Sequence, residues 1–89
     1  MRVIRESAEF TRAAAALAHA ELVDTALDPI IDSLRRNPYG FALFENEWCK
    51  IRYAQTEAIG DVLPPLLVAF SIEEDDSVTL NWIEENPYE

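Results

Sequence analysis

Apolar residues recur along this chain with two different periods, and the change falls near Pro38. The first residues, RVIRES, place Val3 and Ile4 between arginines and predict a short strand over Met1–Arg5 that polar residues end. Ser7 is a suitable N-cap for the next segment. From Ala8 to Ala20, Phe10, Ala13, Ala14, Leu17 and Ala18 fall on an i, i+3, i+4, i+7, i+8 stripe, which is one face of a helix. His19 then stands at the end of this first helix as a charge or packing residue. The helical rhythm continues through Leu22, Ala26, Leu27, Ile30, Ile31 and Leu34. Pro29 interrupts it, because proline has no N–H for the preceding turn. Either the helix kinks there, or a new one starts with Asp28 as N-cap and Pro29 in its first turn. Arg35 and Arg36 suit the last turn, and Asn37 with Pro38 ends it, so the two helices form a hairpin.

Beyond Pro38 the period is 2 and the residues become aromatic and β-branched. Strands are expected at Phe41–Phe44, Trp48–Gln55, Leu66–Ile72 and Val78–Ile83, with EAIGDVLPP as the one long loop. Its prolines fit the start of a strand and not its middle. The order β-α-α-β-β-β-β defines an α+β fold, a single domain over residues 1–89 with a helical hairpin packed on one face of a mainly antiparallel sheet. Alternation places Leu66, Val68, Phe70 and Ile72 on one side of their strand and Val78, Leu80 and Trp82 on one side of the next, facing the helices. In WCKIRY, Cys49, Ile51 and Tyr53 are assigned inward, and Trp48, Lys50 and Arg52 to the solvated face.

Charge changes this picture. Residues 1–52 hold all seven Lys and Arg against eight acids, whereas residues 53–89 hold nine acids and no base. An anionic field of that sign repels nucleic acid at long range and attracts a basic partner. One cysteine, Cys49, and one histidine, His19, are too few for structural zinc, so neither a metal site nor another cofactor is expected. Cys49, with no histidine near it, reads as a structural thiol. No signal-like or membrane-spanning apolar run is visible, and a soluble cytoplasmic protein without membrane contact is expected.

The strand RVIRES, the helical end DSLRRNPYG (32–40), the strand WCKIRYA (48–54) and the strand LLVAFSI (66–72) together resemble the RelE/ParE superfamily of bacterial toxin-antitoxin systems. The resemblance implies a toxin that cleaves messenger RNA on the ribosome or, in the ParE branch, inhibits gyrase, with a cognate antitoxin wrapped around it. Given the anionic field, contact with nucleic acid is expected only by way of the ribosome. In the ribonuclease branch, cations on the open sheet face hold the phosphate and stabilise charge as a ribose 2′-oxygen attacks. Lys50 and Arg52 occupy the strand that supplies one such residue, and Tyr88 is the candidate C-terminal aromatic. The chain departs from that pattern where Glu73, Glu74, Asp75 and Asp76 follow LLVAFSI in place of a cation, and FALFENE carries no lysine. The expectation is therefore a toxin-family protein with ribonuclease activity weak or lost.

Two further readings concern the charged stretches. Lys50 and Arg52 are either a solvated pair or a contact for phosphate or a partner. The acids at 73–76 lack the spacing and the glycine of a calcium loop and read as a solvated hairpin turn that deters edge association. The alternative function is a non-catalytic acidic module that binds a basic protein through residues 73–76 and 84–89, with Trp48 among the interface aromatics.

Overall fold

The computed structural model describes residues 2–45, 47 and 50–86. Its elements are β1 (Ile4–Glu6), α1 (Ala8–Ala16), α2 (Ala20–Arg36), a 3-10 turn (Pro38–Gly40), β2 (Ala42–Glu45), β3 (Lys50–Gln55), β4 (Leu66–Ile72) and β5 (Val78–Glu85). The sheet order is β1-β5-β4-β3-β2, with β1 parallel to β5 and the other pairs antiparallel. This is the expected α+β class with a mainly antiparallel sheet.

The helix boundary lies ten residues earlier than Pro29. Ser7 caps α1 by accepting from the Phe10 N–H at 3.0 Å, and α1 stops at Ala16. His19, with φ 63°, turns the chain through a left-handed conformation and serves as the N-cap of α2, not as the last residue of a first helix. Pro29 lies inside α2, which continues across it, because Val23, Ala26, Leu27 and Leu34 bury a face on both sides of the proline. Burial of that face outweighs one lost backbone bond.

The core lies between the helices and one sheet face, where Leu66, Val68 and Phe70 of β4 meet Phe10 of α1 and Leu27 and Leu34 of α2. Each such side chain contributes about 1.5–3 kcal/mol on full burial. The sheet row on β5 departs from strict alternation. Ala69 pairs with Trp82, but the next residue, Phe70, pairs with Leu80, so Asn81 is an extra residue in β5. A bulge shifts the parity: Val78, Leu80 and Ile83 are buried, and Trp82, expected to face the helices, is 46% exposed on the other side. The bulge is held from two directions. The Ser7 hydroxyl donates to the Asn81 carbonyl at 3.3 Å, and the Asn81 side chain donates to Ser71 Oγ at 3.1 Å.

The loop between β3 and β4 is built, not slack. Thr56 is buried, with its N–H on the Leu66 carbonyl at 2.9 Å and its hydroxyl accepting from the Leu66 N–H at 2.9 Å. Gly60 supplies a positive φ that lets Ile59 and Leu63 bridge, and Leu63 plugs into the core. Among the described residues, no helix is long and apolar enough to cross a membrane.

The parity shift has a direct test in urea unfolding. Ile83→Ala is expected to cost about 2–5 kcal/mol, and Trp82→Ala less than that despite the larger side chain. A greater loss for Trp82→Ala would refute the bulged register.

Candidate functional site

Register decides which face carries the cations of β3. Arg52 pairs with Phe70 and Ala54 with Val68, so Lys50, Arg52 and Ala54 share the face of the core row, and Ile51 and Tyr53 share the opposite face. This reverses the assignment made from alternation, which groups residues by face but does not say which group meets the helices. Arg52 stands at the margin of the core, and its Nη1 donates to the carbonyls of Tyr39 at 3.2 Å and Phe41 at 2.9 Å. Its guanidinium also lies 5.5 Å from the centre of the Tyr39 ring. Beside it, the Phe41 ring meets Phe70 edge-on at 5.6 Å. Arg52 thus fastens the 3-10 turn to the sheet. Lys50 is exposed next to it, and Trp48, Cys49 and Tyr88 lie outside the described residues.

The acidic turn is the second half of the site. The Asp76 N–H bonds to the Glu73 carbonyl at 3.0 Å and the Glu73 N–H to the Ser77 carbonyl at 2.8 Å, closing the β4–β5 hairpin. Asp76 has φ 69°, a conformation that Asp tolerates better than most residues. Its carboxylate takes Arg2 Nη2 at 3.0 Å and the Tyr39 hydroxyl at 2.8 Å. Arg2 reaches on with Nη1 to the carbonyls of Arg35 and Arg36, at 3.3 and 3.2 Å, which are among the unpaired groups at the end of α2. The Tyr39 ring has two guanidinium neighbours, Arg2 at 5.7 Å and Arg52 at 5.5 Å from its centre. Arg2, Tyr39, Arg52 and Asp76 form one network joining the N-terminal strand, α2, the 3-10 turn and the hairpin tip.

The four acids differ in what they do. Asp75 accepts from the Ser77 N–H at 3.0 Å and from its hydroxyl, while Arg5 approaches at 3.9 Å. These bonds from Ser77, with the Arg5 charge, hold the Asp75 carboxyl below the usual aspartate range. Glu73 accepts from the Ser71 hydroxyl at 2.9 Å, and Glu74 beside it is exposed. Glu73 and Glu74, together with Tyr39, Lys50, Arg52 and Ile72, line a depression of about 230 Å³. The structure therefore brings the candidate cations and the candidate acids to the same place, where each offsets the field of the other. Arg2, Arg5 and Arg35 line the two neighbouring depressions with Asp75. The sequence placed Arg35 only in the last turn of the helix, and Arg2 and Arg5 only beside the first strand, because the contacts of Arg2 and Arg5 reach residues 33 to 74 positions away.

Of the acids assigned to a basic partner, 73–76 and Glu84 with Glu85 lie at opposite ends of the last hairpin, and Glu89 lies outside the described residues. Glu84 and Glu85 pair with Leu67 and Leu66, at the far end of the hairpin from the turn, roughly 20 Å away at strand spacing. That far end carries Glu57 and Asp61 on the preceding loop, and residues 53–89 contain no base. Among the described residues no ion pair includes these four acids, whereas Asp75 and Asp76 at the turn have one each. Among the described residues, no group of three or more His, Cys, Asp or Glu is placed to hold a metal ion. Comparison with family models, curated proteins and solved structures gives no match for this chain. What fold and site define together is an α+β domain whose hairpin tip is tied by ion pairs to the N-terminal arginines and whose opposite end is acidic.

The network predicts two titrations. Bonding to Asp76 raises the Tyr39 phenol above its usual value, so its contribution to stability is present below the ordinary tyrosine value of about 10 and is lost as pH rises through the raised one. Ultraviolet titration should show the Tyr39 step move down in Asp76→Asn; an unmoved step would contradict the bond. Asp75 has the opposite sign. Its contribution is present above the ordinary aspartate value of about 3.9 and is lost as pH falls through the depressed one. Carboxyl NMR of Ser77→Ala should show Asp75 titrating at higher pH than in the parent chain.

Proposed function

We propose that this chain is a RelE/ParE-like member of a toxin-antitoxin module in which ribonuclease chemistry is lost and protein binding is retained. The observation that carries this reading is the engagement of Arg52. A cation that stabilises a phosphate must present its donors to solvent or substrate. Here Arg52 directs Nη1 into the carbonyls of Tyr39 and Phe41 and stacks against the Tyr39 ring. Glu73 and Glu74 share the depression that Lys50 and Arg52 line, and their charge opposes a polyanion. A strand, two helices and four strands with both helices on one sheet face are the arrangement the family resemblance implies, which supports the first half of the proposal.

A second reading, the acidic binding module unrelated to toxins, is favoured by the acids Glu57, Asp61, Glu84 and Glu85 gathered at one end without a base from the same half of the chain. It shares the prediction of no catalysis and differs in the effect on a cell.

Incubation of the purified protein with messenger RNA, with and without ribosomes, is expected to leave the RNA intact. Arg52→Ala should lower stability by about 1–3 kcal/mol. Ribosome-dependent cleavage that disappears in a Lys50→Ala, Arg52→Ala double variant that still melts cooperatively would overturn the loss of nuclease chemistry. Through the retained protein binding, as in the gyrase-inhibiting branch, expression without a neutralising partner should slow bacterial growth; unimpaired growth at high expression would count against the toxin reading and favour the acidic module.

A further inference from the structure

The helices do not close over the whole inner face of the sheet. Between α2 and the end of β3 a groove of about 390 Å³ remains, with Ala26, Pro29, Ile30, Phe41 and Ile59 among its walls. It is mostly apolar, and on the α2 side it follows Thr25, Pro29 and Ser33. These are successive i, i+4 positions, a straight ridge of about 12 Å by helical rise. A ridge of that kind packs naturally against another helix.

The rim selects the occupant. On the solvent side of the ridge, Glu21, Asp28 and Asp32 recur at i, i+7 and i+11, and Glu57 stands on the opposite wall. Asp32 pairs with Arg36, but none of the ion pairs among the described residues includes Glu21, Asp28 or Glu57. Pro29 also has no N–H to give to the carbonyl of Thr25 one turn back, so the ridge carries a helix acceptor without its usual donor. The groove thus offers a largely apolar floor with acids along its edge, and no Lys or Arg is among the described residues that line it.

We propose that this groove binds an amphipathic helix of a partner protein, with apolar side chains on the face that enters and Lys or Arg along its flanks. The proposal rests on the reading that the domain works by binding protein, and it locates that binding away from the acidic hairpin tip. The tip is the feature most visible in the sequence, but two of its four acids, Asp76 and Asp75, are already engaged by Arg2 and Arg5.

A labelled synthetic helix of about four turns with leucines on one face and lysines on the other serves as the probe, read by fluorescence anisotropy at physiological ionic strength. Its glutamate counterpart, with the same leucine face, is the control. The lysine helix should bind and the glutamate helix should not. Asp28→Lys with Glu57→Lys should weaken binding by at least about tenfold, whereas Glu84→Lys with Glu85→Lys, an identical change in net charge at the end of β5, should alter it by no more than about twofold. Ala58→Trp, which adds bulk to an exposed position on the groove wall and removes no core contact, should abolish it. Thermal melting of each variant confirms that the fold is kept. Absence of binding, equal losses in the two charge-reversed pairs, equal binding of the glutamate helix, or indifference to Ala58→Trp would each overturn the proposal. Because the RNA assay uses no peptide, failure here is distinguishable from failure of the toxin reading.

Discussion

Pairing of the first strand with the last is the constraint on which the rest of this structure depends. β1 lies parallel to β5 in the register Ile4 to Val78, which places a three-residue strand beside the start of an eight-residue one. The Val78 N–H bonds to the Val3 carbonyl at 2.9 Å and the Ser7 N–H to the Leu80 carbonyl at 2.9 Å, so the pairing extends past both ends of β1. The helices α1 and α2 carry the chain over one face of the sheet, from β1 at one edge to β2 at the other, and β2, β3 and β4 return it by antiparallel neighbours to β5 beside β1. The same pairing brings Arg2 and Arg5 alongside Asp76 and Asp75. Without it the hairpin tip would carry four acids with no cation from the N-terminal segment.

The bulge at Asn81 is the second consequence. It sits where the capping residue of α1 meets β5, and Ser7 serves both elements at once, accepting from Phe10 and donating to Asn81. Its effect on β5 is to turn Ile83 into the core and Trp82 out of it. An irregularity of one residue therefore fixes what the last turn of the sheet shows to solvent. It also ends the continuity between the rows of β4 and β5 that alternation alone would extend.

Charge in this protein is arranged by structure as much as by composition. Arg2, Arg5, Arg35, Lys50 and Arg52 converge on the hairpin tip from β1, the end of α2 and β3, so cations from the first half of the chain gather around its densest run of acids. The groove beside α2 and the end of β5 keep acids that no described ion pair satisfies. Electrostatic attraction of a basic partner thus acts at surfaces remote from EEDD, and the field around Lys50 and Arg52 is mixed.

The sequence by itself determined the order of elements, the α+β class, the helix cap at Ser7 and the limits of β4, because periodicity, capping and turn chemistry act over a few neighbouring residues. It also marked Lys50, Arg52 and the acids 73–76 as a set to be explained. Tertiary structure alone decided that α2 runs through Pro29 and that the break comes at His19, since burial of Val23 and Leu34 outweighs a local preference. It alone decided which face of β3 holds Arg52, because alternation is symmetric until a core lies on one side. And it alone brought Arg2 to Asp76, across more than seventy residues: which charges neutralise one another depends on distance in space, and no pattern of neighbours along the chain encodes that distance.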